Sequence, residues 1–276
     1  MPGAHPTTLT PVIGSVGVVS VATNRYVHYW MEMATSADAL LFPEAELTMH
    51  VFTDQPELVE EFAPQLSRIR VHPIRIDSLT WPAATMQRFQ LISEHADSLT
   101  QDVLVHLDAD MLIVARTPMN LDPQTWQGGM ALVRHPGYRR PPGIARAKFY
   151  LRHPSRLARD LARIAKEGGL GTWERNAASA AYVPRSRRST YVCGATWMGR
   201  REAFIATCAL LAANTAHDDA IGRIALWHDE SHMNWFAAMR ERSLLDSSYC
   251  FVEGAVNLSD LEPLIVAVEK SDERTR

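Results

Sequence analysis

An α/β fold follows from three features of this sequence: short Val-rich apolar runs, helix-periodic segments between them, and an acidic pair delivered at the end of one such run. Ser15 to Ala22, SVGVVSVA, and the run ELTMHVFTD ending at Asp54 have the composition of buried strands. Between them, Tyr26, Tyr29, Trp30, Met33, Ala37 and Leu40 recur at helical intervals across Arg25 to Leu41, behind an Asn24 suited to capping. Strand, helix and strand in that order seed a parallel sheet. A helix from about Pro56, a strand near Ile69 to Ile74, a helix near Met86 to His95 and the run DVLVHLDADMLIV continue the alternation. Pro136 to Phe149, PGYRRPPGIARAKF, ends it. One domain over 1–276 is expected, built of two halves, about 15–135 and about 136–276, with EKSDERTR as a charged, mobile tail.

The composition excludes several classes of protein. A net charge of -3 over 276 residues offers no general attraction for nucleic acid. Cys193, Cys208 and Cys250 are too few and too widely spaced for a disulfide framework or a four-thiolate metal site, which fits a reducing compartment. No run reaches the roughly 18 to 20 apolar residues of a membrane span, and the start MPGAHPTTLTPVIG lacks the cationic and apolar regions of a secretory signal. A small molecule or another protein is the expected partner.

In VLVHLDADML an apolar run ends on Asp108 and Asp110, where a parallel sheet opens its ligand crevice. One residue apart, the two carboxylates can meet one divalent cation, as diphosphate binding requires; they can equally be a solvated strand end. Arg88, on the helix before that strand, either brings positive charge to the crevice or is a surface arginine. Further along, LWHDESHMNW crowds Trp227, His228, Asp229, Glu230, His232 and Trp235 together. His228 and His232 flank an acid, but H-x-E-x-H is not the H-E-x-x-H of zinc proteases. The other reading is a helix start with its acids in the first turn, where the helix dipole favours them. Cys193 reads as packing rather than as a nucleophile.

VFTDQPE at Val51 to Glu57, HLDADM at His106 to Met111, SAAYVP at Ser179 to Pro184 and WHDESHMN at Trp227 to Asn234 together resemble glycosyltransferase family 6. This is the family of the blood-group A and B transferases and α-1,3-galactosyltransferase. The resemblance implies a GT-A fold, with a Rossmann-like nucleotide-sugar-binding half to about 135 and an acceptor-binding half beyond it. It also implies a UDP-galactose or UDP-N-acetylgalactosamine donor and a retaining α-1,3 transfer to a galactoside.

Residue by residue, the resemblance puts Val21, Thr23 and Tyr26 at the uridine and Arg88 at the donor sugar. Asp108 and Asp110 fall at the metal and diphosphate, which implies Mn²⁺ or Mg²⁺; some bacterial members carry asparagines there and need no metal. Glu230 falls facing the anomeric carbon and Asp229 at the donor's hydroxyls, with Trp227 as a wall of the sugar site. A carboxylate beneath the reacting carbon serves as nucleophile or as electrostatic stabiliser, and both remain open. Cys193, Gly194 and Ala195 occupy the segment that selects the donor sugar, and the small Cys/Ala pair leans to N-acetylgalactosamine. His135, Thr172, Trp173 and Glu253 fall at or near acceptor positions, and Lys270 and Arg276 at tail positions that close over UDP.

The implied partners are a UDP-sugar and a galactoside-containing oligosaccharide or glycolipid, without nucleic acid or a membrane span, and with at most peripheral membrane association. A bacterial or phage-type member is expected in the cytoplasm, and a truncated animal-type chain in the Golgi lumen. Two alternatives stand beside this reading: another retaining metal-dependent GT-A transferase with a different donor, and a catalytically silent sugar- or nucleotide-binding protein.

Overall fold

A computed structural model describes residues 14–117 and 121–268. The first βαβ unit forms as its periodicity predicts: β1 (Ser15–Val21), α1 (Tyr26–Leu40) and β2 (Glu46–Thr53), with β1 parallel to β2. Next come α2 (Pro56–Phe62) and β3 (Arg70–Arg75). Asn24 does not cap α1. Its backbone is left-handed (φ 54°), and its amide donates to Leu79 O and accepts from Ser78 Oγ, so it ties the β1–α1 turn to the 78–79 loop.

The helix expected near Met86 to His95 is two short helices, α3 (Ala83–Met86) and α4 (Arg88–Glu94), meeting at Gln87. The run DVLVHLDADMLIV also divides. It forms β4 (Val103–Leu107) and β5 (Met111–Ile113), with Asp108 to Asp110 turning between them. Then follow β6 (Met130–Arg134), α5 (Gly143–Arg152), α6 (Pro154–Glu167), β7 (Val192–Arg200), α7 (Arg201–Ala220), α8 (His228–Met239), β8 (Ser243–Leu245) and β9 (Ile265–Ala267). The Pro/Gly/Arg-rich stretch that read as irregular therefore contains the start of a helix, because Gly143 follows its last proline and nothing helix-breaking comes after it.

Seven strands make one sheet in the order β3-β2-β1-β4-β7-β6-β8. The first four are mutually parallel, β7 runs antiparallel to β4 and β6, and β8 is parallel to β6. The small second sheet pairs β5 with β9, which brings the chain's last described residues beside the Asp108–Asp110 turn.

Period-two alternation in the strands serves two cores. Val103, Val105 and Leu107 face α1 with Trp30, Met33 and Ala37, whereas Leu104 faces Phe89 and Ile92 of α4, Phe204 and Leu211 of α7, and Met233 of α8. Helices on both faces explain why the central strands are apolar nearly throughout. Among the described residues, no helix is long and apolar enough to cross a membrane.

The C-terminal end of α1 has no basic residue in its last turn, and Arg68 supplies the missing donors from across the chain. Its guanidinium donates to the carbonyls of Ala37, Asp38, Leu41, Phe42 and Ala45 at 2.7–3.3 Å, and Asp38 Oδ1 accepts in return from the Arg68 and Ile69 amides. Removing the donors would leave several helix-end carbonyls unpaired. Arg68→Ala is expected to lower the unfolding free energy by about 2–3 kcal/mol in denaturant titration.

Candidate active site

Parallel strands β1 and β4 end at one edge of the sheet, and a cleft of about 490 Å³ opens there. Its lining includes Val21, Thr23 and Tyr26 from the β1–α1 turn, Arg88 from α4, and Asp108 and Asp110 after β4. All six were singled out by the sequence. The cleft also takes Leu79, Thr80 and Trp81, which the sequence did not mark as site residues because they belong to an irregular loop. Thr23 Oγ1 donates to Leu79 O at 2.8 Å and so holds that loop over the β1 edge.

Arg88 is the centre of the polar constellation. Its buried Nη1 lies 2.8 Å from Asp108 Oδ1, 3.3 Å from Asp229 Oδ2 and 3.3 Å from the Gly194 carbonyl, and it donates to His106 Nε2 at 2.9 Å. Burial alone would lower the guanidinium's pKa, but Asp108 and Asp229 outweigh it and hold the group above its ordinary value. His106, buried and stacked on Trp197 at 5.1 Å, is pushed down by burial and by Arg88. It is therefore neutral, and because Nε2 accepts from Arg88, its 3.2 Å approach to Asp108 is not an ion pair.

Glycine 194 joins the two acids of α8 to this centre. Its N–H donates to Glu230 Oε2 at 3.0 Å while its carbonyl faces Arg88. A Cβ at this position would stand 3.2 Å from Asp229 Oδ2 and 3.4 Å from Glu230 Cβ, so a side chain here would displace the acids by a few tenths of an ångström. Asn234 fixes the approach from one helical turn further on. Its amide accepts from Val192 N–H at 2.8 Å and donates to Val192 O at 2.9 Å.

The first turn of α8 carries both acids, as the helix-start reading expects. His228 enters it with a left-handed backbone (φ 49°), costly for a residue with a Cβ, and packs edge-on to Trp81 at 4.8 Å. The two histidines do not converge: His232 is wholly buried 3.7 Å from Asp218. Asp218 in turn accepts from Ser179 Oγ and Ala180 N–H, so the SAAYVP segment is anchored to α7.

Burial raises the Asp229 carboxyl, and Arg88 offsets part of the rise. Glu230 is pushed up to about 7 by burial, against the pull of the Gly194 N–H. On its other side stands His135, brought down to about 4 by burial. His135 Nδ1 accepts from Gly137 N–H at 3.0 Å, which leaves the proton on Nε2, 3.9 Å from Glu230 Oε2. Tyr138 and Tyr191, which the sequence did not single out, pack on His135 at 4.8 and 5.6 Å.

The remaining expected positions are less uniform. Ala195 gives its carbonyl to the Asp108 N–H at 2.9 Å, while Cys193 is buried with Sγ 3.8 Å from Thr196 O. Thr172 binds Tyr138 and Arg163 through its hydroxyl. Trp227 is half exposed beside the acids, and Glu253 lies exposed on a turn. Trp173 is only 1% exposed and packs edge-on to Tyr191, so its indole supports the aromatic wall and offers no face to a ligand. Lys270 and Arg276 lie outside the described residues; Val268, the last of those, donates its N–H to Asp110 O at 2.9 Å.

Among the described residues, no group of three or more His, Cys, Asp or Glu could hold a metal ion. The cleft instead offers two carboxylates, Asp108 and Asp110, a donor set that holds Mg²⁺ or Mn²⁺ when substrate phosphates complete the shell.

The sequence pattern of glycosyltransferase family 6 matches residues 8–122 and 166–276, most of the chain. The chain belongs to glycosyltransferase family 6. Its α/β architecture, with a mostly parallel sheet between helices, is the GT-A arrangement expected for the family. Among curated proteins, the chain is 29% identical over 252 residues to human globoside alpha-1,3-N-acetylgalactosaminyltransferase 1, covering 87% of this chain and 61% of that protein. It is 22% identical over 239 residues to the Escherichia coli O-antigen biosynthesis glycosyltransferase WbnI, covering 86% and 88%. With rat histo-blood group ABO system transferase 1 the identity is 25% over 224 residues, covering 80% and 56%. The chain thus spans about six-tenths of the length of the animal relatives it matches.

The raised carboxyl of Glu230 has a consequence for stability. Its folded pKa, about 7, lies above the unfolded value of 4.5, so its protonated form favours folding below pH 4.5, and that contribution is lost as pH rises through 7. Glu230→Gln is expected to stabilise the protein more at pH 8 than at pH 5, by on the order of 1–2 kcal/mol in chemical denaturation.

Proposed function

We propose that this chain transfers galactose or N-acetylgalactosamine from a UDP-sugar to a galactoside acceptor in α-1,3 linkage, with retention of anomeric configuration. The observation that carries the reading is the convergence of Arg88, Asp108, Asp229 and Glu230 around Gly194 at the end of the cleft. Family membership and the names of the relatives support the same chemistry.

In this reading, uridine lies against Val21, Thr23 and Tyr26, and the diphosphate extends toward Asp108 and Asp110. Those two carboxylates would hold Mn²⁺ or Mg²⁺, which neutralises charge on the leaving diphosphate. Arg88 keeps Asp108 and Asp229 aligned while bringing a permanent positive charge to the donor. Asp229 accepts hydrogen bonds from the sugar's hydroxyls, and Glu230 faces the anomeric carbon.

A carboxylate there stabilises positive charge developing on the sugar, either electrostatically or through a transient bond. Held near 7 in the free protein, Glu230 becomes fully anionic once cationic groups gather in the site. Neutral His135, with its proton on Nε2, is a hydrogen-bond donor for the acceptor beside Glu230. The half-exposed Trp227 presents an indole face suited to the C–H face of a galactoside.

The Cys193 and Ala195 pair favours N-acetylgalactosamine, as do the relatives named for that sugar. The family resemblance assigns Lys270 and Arg276 to the diphosphate. The reading as a hexosyltransferase is tested by a screen of UDP-sugars against β-galactosides, with and without Mn²⁺, followed by linkage determination. UDP-N-acetylgalactosamine and a Mn²⁺-dependent α-1,3 product are expected, and donor preference for a glucose-type sugar would favour a different GT-A activity.

Glu230→Ala is expected to lower turnover by about 100-fold or more while calorimetry records nearly unchanged UDP binding. An active variant would exclude the assigned role. Removal of the residues after Glu269 should raise the Michaelis constant for the donor or lower turnover, read by steady-state kinetics over a donor series.

A further inference from the structure

Helices α5 and α6 form an arm whose side chains are distributed in an unusual way. The inward face of α6 is charged: Asp160 accepts from Arg140 Nε and Nη2 at 2.6 and 2.7 Å, Arg163 donates to Thr172 Oγ1 at 2.8 Å, and Glu167 lies 3.6 Å from Arg175. Its apolar residues Leu157, Leu161 and Ile164, spaced i, i+4 and i+7, are exposed instead. On α5, Ile144 and Leu151 share a face seven residues apart and are 78% and 82% exposed. On α6 these residues line a groove with Asp160, Tyr138 and Tyr191, whereas Ile144 and Leu151 of α5 stand in the open, an apolar pair without a partner in the fold.

Charge identifies that partner. Residues 143–167 contain seven Lys or Arg and only two acids, Asp160 and Glu167, in a chain whose net charge is -3. Both acids are buried and paired with arginines, so within 143–167 the exposed charges are cations, with Lys148 and Arg152 beside the exposed Ile144 and Leu151. Two copies of such a face would repel each other. Nucleic acid would satisfy the cations but not the apolar stripes. An anionic lipid surface satisfies both, since aliphatic side chains enter the acyl boundary while Lys and Arg meet the headgroups. The arm also falls almost entirely in the interval between the two segments matched by the family pattern.

We propose that α5 and α6 dock this protein on an anionic bilayer as a peripheral, interfacial element. The docking is independent of the transfer chemistry. It nevertheless concerns the acceptor side of the molecule, because Leu157, Leu161 and Ile164 line a cavity of about 670 Å³ that reaches Tyr138 and Tyr191 beside His135. A glycan whose lipid end stays in the membrane would approach from that side.

The test is flotation of the full chain with phosphatidylcholine vesicles, with or without about one quarter phosphatidylglycerol. The chain is expected to float with the anionic vesicles and to stay in solution with the neutral ones. Ile144→Gln with Leu151→Gln, and separately Lys148→Glu with Arg152→Glu, should each lower partition by about tenfold or more. All four side chains are exposed, so thermal unfolding of both variants should match the parent. Three results would overturn the proposal: no flotation with either vesicle, equal flotation with both, or loss in the charge variant without loss in the apolar one. A dimer in solution that the Ile144→Gln, Leu151→Gln variant abolishes would instead assign the face to a second copy.

Discussion

The buried guanidinium of Arg88 is the constraint around which the site is arranged. It reaches an acid after β4, an acid at the start of α8, a carbonyl on β7 and a ring on β4, so elements distant in the chain meet at one cation. Two acids this close, one of them buried, would repel each other and gain protons without it. Equally, a buried guanidinium without those acids would be an uncompensated charge. The geometry of the cleft and the ionisation of its acids are therefore one property.

Close approach of β7 to α8 is the second requirement, and it rests on one glycine and one asparagine. Gly194 leaves room for both acids and gives each side of its peptide to the site, while Asn234 clamps the helix to the strand at Val192. This explains why WHDESHMN acts as a unit. Asp229 and Glu230 bring their carboxyls to Arg88 and Gly194, Asn234 ties the helix to the sheet, and His228 and His232 serve packing at the loop and the core. SAAYVP has a similar supporting role, through the hold of Asp218 on Ser179.

On the two sides of Glu230 the electrostatics differ. One side carries Arg88 with Asp108 and Asp229 against it. The other side is aromatic, with Tyr138, Tyr191 and a neutral His135. A neutral N–H donor, rather than a cation, thus faces the Glu230 carboxyl.

The sequence by itself determined the βαβ alternation, the acids at the end of β4 and the helix start at His228, because strand composition, helical periodicity and first-turn acids are local properties. Asp108, Asp110 and Arg88 were legible from the strand end and the helix before it, whereas Val21, Thr23 and Tyr26 were marked only by the family resemblance. Only the tertiary structure decided that DVLVHLDADMLIV breaks after β4 and that β5 leaves the main sheet for β9. It also decided that Asn24 braces a loop instead of capping a helix, and that Trp173 is packed away while Tyr191, Tyr138 and His106 stand at the site. These outcomes depend on partners a hundred or so residues away, or on which face of an element another one covers. No local pattern encodes that, and packing supplies it.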